Sequence, residues 1–282
     1  MTRVSRVVVL VLAVVAGVAL GTSADVFYSA IRQGPIAIST GAAPAGKRGS
    51  GQAAVPGQLD AATVAAQVNP AVVDIYTTLA GGSAAGTGMV ISSSGEVLTN
   101  NHVVEGATTI SVQVVGTGRT YSAAVVGTDK ADDVAVIQLR GAASLKTITV
   151  GDSSKVSVGD AVLAIGNALG RGGVPLASPG VVAGLNQTIT ADDGSGNAET
   201  LSSLIQVRAL IQPGDSGGPL VDAGGNVIGM DTAAQIGRGR RQSTASNNGY
   251  AIPISTAMAI ARQIEAGGTI TAGAPVTSMA AA

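Results

Sequence analysis

Short apolar, β-branched runs separated by glycine-rich breaks recur along most of this chain, and they restrict it to sheet architectures. The runs are AVVDIYTTL (71–79), GTGMVIS (86–92), EVLT (96–99), TISVQVV (109–115), SAAVVG (122–127) and DVAVIQL (133–139). They continue with DAVLAIG (160–166), GVVAGL (180–185), LIQV (204–207), GPLV (218–221), NVIGM (226–230) and GYAIP (249–253). Strands at this spacing, with no long amphipathic helix between them, predict an all-β barrel or sandwich. They argue against alternating βαβ units. Two groups of about six strands fit two barrels, at about 65–165 and 175–255. Leu59–Val68 reads as a short helix ended by Asn69-Pro70. Near the end, Ala257, Ile260, Ala261 and Ile264 share a helical face, and Gly267 supplies the stop, so Ser255–Gly267 reads as a short C-terminal helix.

Ahead of the strands, residues 1–24 carry Arg3 and Arg6, an apolar run of 14 residues at Val7–Leu20, and small residues Thr22-Ser23-Ala24. That is the layout of a hydrophobic export helix, a secretory signal peptide. An uncleaved membrane anchor is the alternative, because Gly21–Ile31 has Asp25 as its sole charge. In both readings the rest of the chain lies outside the cytoplasmic membrane, secreted or held in the cell envelope. Residues 25–58, rich in Gly, Ala, Ser and Pro, read as a flexible linker. A domain over 59–267 and a disordered tail over 268–282 complete the layout.

Composition removes whole classes of chemistry. The chain has no cysteine, which excludes disulfides, thiol nucleophiles and cysteine-ligated metals. It has one histidine, His102, so multi-histidine zinc sites are excluded too. No metal and no cofactor are therefore expected. With 16 basic against 17 acidic residues, four Tyr, one Phe and no Trp, nothing suggests a nucleic-acid surface. Loss of residues 1–24 would take Arg3 and Arg6 and leave a net charge of -3. Membrane contact is expected only through the N-terminal segment.

Three places carry candidate chemistry. Gly214-Asp215-Ser216-Gly217-Gly218-Pro219 puts a serine between glycines, which suits a nucleophile on a tight turn with N–H groups aimed at one point. Thr99-Asn100-Asn101-His102-Val103-Val104 carries the only imidazole. Asp132-Asp133 abuts a very apolar strand. A serine hydroxyl needs a base to take its proton, and the base works best when a buried carboxylate fixes its tautomer. Chain order then decides the scaffold. An α/β-hydrolase needs its histidine after the serine, and none follows Ser216. Subtilisin-like enzymes run Asp, His, Ser. Thr277-Ser278-Met279-Ala280 is similar to their serine motif, but it lies within the last six residues.

His–Asp–Ser order on two β-barrels resembles the trypsin/chymotrypsin superfamily, and within it the bacterial HtrA/Deg branch, in its exported actinobacterial form. GTGMVIS (86–92), VLTNNHVV (97–104), DVAVIQL (133–139), VGDAVLAIGN (158–167), GDSGGPL (214–220), NVIGMDTA (226–233) and GYAIP (249–253) carry the resemblance. It implies a trypsin-like fold of two six-stranded antiparallel β-barrels and a serine endopeptidase acting on proteins or peptides, in quality control or processing. It implies His102 as general base, Asp133 rather than Asp132 as its orienting carboxylate, and Ser216 as nucleophile. It places the oxyanion hole at the backbone N–H groups of Gly214 and Ser216. The specificity pocket falls on Leu210, six residues before the serine, with Asp231, Thr232 and Ala233 nearby. With Leu210 where an arginine-specific enzyme has an acid, small or medium aliphatic residues are expected before the scissile bond. A homotrimer is also implied.

Two departures qualify the resemblance. The 15 residues after Gly267 are too few for the PDZ domain that HtrA proteins usually carry. Position 215 is Asp where HtrA proteins often have Asn, yet no Ile-Val-Gly-Gly segment is present to pair with it on activation. The rival reading is a holding chaperone or binding module on a protease scaffold. The glycine-rich segment 166–173 matches no phosphate loop, and 192–197 lacks the spacing of a calcium loop. Arg238, Arg240 and Arg241 read as part of a solvated loop.

Overall fold

The structure, a computed structural model, describes residues 59–192, 198–232 and 248–267. The expected export segment, the linker, the tail, Ala233 and the three arginines at 238–241 lie outside the described residues. Strands β1 (Val72–Leu79), β2 (Gly82–Val90), β3 (Glu96–Thr99), β4 (Thr109–Val114), β5 (Thr120–Asp129) and β6 (Val134–Leu139) form one barrel. It closes in the order β1-β2-β3-β6-β5-β4. Strands β7 (Ala161–Gly166), β8 (Leu176–Asp192), β9 (Ala198–Arg208), β10 (Pro219–Val221), β11 (Val227–Thr232) and β12 (Asn248–Pro253) form a second. It closes in the order β10-β11-β12-β9-β8-β7. The fold is all-β, with two six-stranded antiparallel barrels.

The division between barrels differs from the sequence expectation. β7 belongs to the second barrel, where it pairs with β8 and β10. The boundary therefore falls in the 140–160 connection rather than near 165–175. An apolar run announces a strand but not its neighbour, and the 140–160 break before β7, the longest between strands, is the one signal of the boundary.

Continuous rather than alternating apolar runs follow from burial on both faces. In β6, Ala135, Ile137 and Leu139 pack inside the first barrel with Val73, Ile75 and Val97. Val134 and Val136 face the other way, into a cluster shared with Met89, Leu98, Leu163, Ile165 and Met230. That cluster joins the two barrels. Two helices complete it. α1 (Ala61–Val68) is capped by Asp60, whose carboxylate accepts the Thr63 N–H, and buries Val64, Ala65 and Val68. The other, α3 (Ile254–Glu265), buries Ala257, Ile260, Ala261 and Ile264, the face its spacing predicts. Between them, α2 (Asn101–Val104) is a single turn, too short to show a period, and it carries His102. Among the described residues no helix is long and apolar enough to cross a membrane.

Candidate active site

β3 ends at Thr99, and the chain turns at once into α2. That turn is tied to the start of β6: Asn100 Nδ2 donates to the Asp133 carbonyl at 2.9 Å, and the Asn101 N–H to the same oxygen at 3.2 Å. The anchor delivers the His102 ring to the Asp133 carboxylate, with Nδ1 at 3.0 Å from Oδ1 and 2.9 Å from Oδ2. The His102 backbone N–H donates to Oδ1 as well, at 3.0 Å. From the second barrel, the Thr232 hydroxyl lies 3.4 Å from Oδ2. Asp133 is buried, and its backbone is left-handed at φ 53°, an uncommon conformation for a non-glycine residue. Four polar contacts converge on a carboxylate that water barely reaches. With Nδ1 held there, Nε2 is left as the other ring nitrogen, and the His102 side chain is 39% exposed. Asp132 plays a different part: its backbone N–H donates to Asp129 Oδ1.

The serine turn belongs to the second barrel but docks on the first. The Thr87 N–H donates to the Ser216 carbonyl at 2.9 Å, and the Thr87 hydroxyl to the Gly214 carbonyl at 2.7 Å. The Asn167 N–H donates in turn to the Thr87 hydroxyl. Gly217, at φ 85°, sits so tightly that a Cβ would collide with the Thr87 carbonyl and the Thr99 hydroxyl. Only glycine fits that crossing. On the opposite side, the Pro213 carbonyl accepts the Leu169 N–H at 2.7 Å. The peptide is planar, so the Gly214 N–H must point away from the 167–170 loop. An open groove starts at this peptide and runs along Tyr76, Thr78, Ser83, Ala85 and Leu169.

Residues 86–230 match the family described as a trypsin-like peptidase domain. The chain belongs to that family. It is 35% identical over 223 residues to the serine protease PepD of Mycobacterium tuberculosis, covering 74% of this chain and 47% of that protein. It is 37% identical over 180 residues to the periplasmic pH-dependent serine endoprotease DegQ of Escherichia coli, covering 64% of this chain and 37% of that one. The solved HtrA-type protease AlgW with tripeptide superposes with a TM-score of 0.63 at 35% identity, covering 74% of this chain and 65% of that one. These relatives are serine proteases of the HtrA/Deg type, and the chain spans less than half the length of the curated ones.

Within this trypsin-like domain the expected pocket residues go to different places. Leu210 is 45% exposed. Asp231 is sealed from solvent, and Thr232 turns its hydroxyl to Asp133. Among the described residues no cluster of His, Asp and Glu is arranged to hold a metal ion. Thr87, Asn100 and Asn167 shape the site and were not singled out from the sequence. The available signal was a hydroxyl or amide inside a strongly apolar run, as with Thr87 in GTGMVIS.

The domain also buries carboxyl groups around the serine turn. Asp74, on β1, projects towards the 168–173 loop, where a Cβ on Gly172 would come 3.9 Å from its Oδ2. Among the described residues, neither of its oxygens has a hydrogen-bond partner of good geometry. Burial pushes its carboxyl up to about 6, and the facing Gly173 N–H offsets part of that. A carboxyl whose folded value is raised stabilises the fold when protonated, and that stability is lost as pH rises through the folded value. Asp74→Asn is therefore expected to match the wild type in thermal stability at about pH 4 and to exceed it above about pH 7. The gap is up to about 3 kcal/mol, at about 1.4 kcal/mol per pH unit. Melting curves across that range check it, and equal curves throughout would contradict it.

Proposed function

We propose that the chain is a serine endopeptidase that hydrolyses proteins or peptides outside the cytoplasmic membrane through His102, Asp133 and Ser216. The observation that carries this reading is the His102 ring, held at 2.9–3.0 Å by both oxygens of the buried Asp133 carboxylate. Asp133 keeps the Nδ1 proton in place, so Nε2 is the basic nitrogen. Ser216 Oγ attacks the scissile carbonyl carbon as its proton passes to Nε2. The carbonyl oxygen becomes an oxyanion and takes the N–H groups of Gly214 and Ser216. The imidazolium, stabilised by Asp133, gives its proton to the leaving amine, and water hydrolyses the acyl-enzyme by the same route.

Substrate binding has its own support. β2 pairs with β3 only at Met89 and Val90, so the Ser83–Thr87 stretch keeps one edge clear of β3 beside the serine turn. An extended peptide adds to such an edge through main-chain hydrogen bonds. The periplasmic naming of DegQ and the export layout of residues 1–24 support action outside the membrane. A role in quality control or processing, a domain spanning 59–267 and a homotrimeric assembly belong to the same reading.

Labelling of Ser216 by a fluorophosphonate, with His102→Ala as control, is the test. Labelling that depends on His102 is expected. A chain that holds unfolded protein, digests no casein and takes no label would instead be a holding chaperone. For specificity, digestion of a peptide library is expected to cut after small or medium aliphatic residues. A preference for Arg or Lys before the cut would refute that expectation.

A further inference from the structure

Asp215 and Asp231 meet at the end of β7. Asp215 Oδ1 lies against Gly166, so closely that a Cβ there would be 2.6 Å away. The Asp231 carboxyl faces the neighbouring Ile165 N–H. Asp231 is 0% exposed and Asp215 5%. Among the described residues, three of their four carboxylate oxygens have no hydrogen-bond partner of good geometry. The fourth, Asp215 Oδ2, accepts the Gln212 N–H at 2.8 Å. What packs around the pair is Ile165 and Gly166 of β7, Gly217 and Gly218 of the serine turn, and Ala251 of β12. Among the described residues Asp215 is the one ionisable group acting on Asp231. Two buried carboxyls at one strand end, with no cation facing them among the described residues, do not ionise together at neutral pH, and the pair retains a proton.

The pair is wired to the reacting groups by backbone. The Gly217 N–H donates to the Asp231 carbonyl, and the Asp231 N–H to the Gly218 carbonyl, both at 2.8 Å. On the other side, the Asp215 N–H donates to the Gln212 carbonyl at 2.9 Å. With Oδ2 on Gln212, this fixes the turn that presents the Pro213–Gly214 peptide. Repulsion between the two carboxylates therefore acts on both flanks of Ser216.

We propose that Asp231 is a positioning residue for the serine turn, holding it closed while the Asp215–Asp231 pair keeps its proton and loosening it once both carboxyls are ionised. This rests on the serine-peptidase reading. His102 then governs the acidic limb of the pH profile, since its protonation removes the base, and the pair governs the alkaline limb. Burial, which pushes Asp215 up to about 6 and Asp231 well above the usual carboxylate range, accords with this order.

The test uses the full chain and two readouts from pH 5 to pH 10. In the first, fluorophosphonate labelling and peptide turnover are compared for wild type and Asp231→Asn. The wild type is expected to lose about tenfold per pH unit on its alkaline limb, as the loss of one proton dictates, in kcat rather than KM. Asp231→Asn is expected to lack that limb, and Asp215→Asn, which removes the other charge, is expected to lack it too. An alkaline limb unchanged in both variants overturns the proposal. In the second, thermal midpoints are measured in a Ser216→Ala background, where catalysis plays no part. Above about pH 7, where Asp74 is already ionised, the midpoint is expected to fall with rising pH with Asp231 present and to stay level with Asn in its place. A midpoint indifferent to that substitution also overturns the proposal. Absence of labelling in every chain would instead refute the peptidase reading, and the midpoints would still report whether the pair holds a proton.

Discussion

Ser216→Ala is expected to lower turnover of a protein substrate by about 10⁴-fold or more and to abolish fluorophosphonate labelling, while the protein stays folded. The size follows from the proposed chemistry: without Oγ no acyl-enzyme forms, and only substrate binding and the backbone N–H donors remain to assist water. Folding should survive because the turn is held by main-chain groups. The Ser216 carbonyl accepts the Thr87 N–H, and the Gly217 and Gly218 peptides bond across to Asp231. Alanine keeps all of them. Turnover measured beside a melting curve separates loss of the nucleophile from loss of fold. Turnover within tenfold of wild type would remove Ser216 from the reaction.

Asp133→Asn should cost nearly as much, about 10⁴-fold in kcat at neutral pH. The carboxylate accepts the His102 backbone N–H at 3.0 Å and faces ring Nδ1 with both oxygens. An amide in its place keeps one oxygen and presents an NH₂ group with the other arm. If the oxygen stays on the backbone N–H, the NH₂ faces Nδ1, which must then accept, and the ring proton moves to Nε2. The imidazole is held in place but can no longer take the Ser216 proton. KM should change little, since no substrate contact is removed, and the split between kcat and KM checks the mechanism. A variant retaining a tenth of wild-type kcat would show that the orienting carboxylate is not Asp133.

Much of this arrangement was legible in the residues, for uneven physical reasons. Strands were readable because burial on both faces writes unbroken apolar runs such as DVAVIQL. Pairing is not, and the runs alone place β7 with the first barrel, where the structure puts it in the second. His102 stood out through scarcity, and chain order narrowed the scaffolds that it and Ser216 could share. The groups that assemble the site were silent. A threonine in a strand has no signature that tells a crossing point such as Thr87 from ordinary filling. Thr232 was grouped with a specificity pocket, and only tertiary contact assigns its hydroxyl to Asp133. Asp231 was expected near that pocket as well, and the fold seals it against β7.

The apolar cluster that joins the barrels has a consequence for how such a chain would survive the proposed activity. Met89, Leu98 and Val136 from one barrel share that cluster with Leu163, Ile165 and Met230 from the other. Opening either barrel alone would strand the partner's apolar face in water, so half-open states are expected to be rare and melting cooperative. A peptidase at working concentration is surrounded by copies of itself, and its cleavable form is an unfolded segment. Cooperativity keeps that form scarce until the whole domain unfolds, and whole-domain unfolding separates Thr87 and Asp133 from the serine turn. A copy open to digestion by its neighbours is thus one that can no longer digest them.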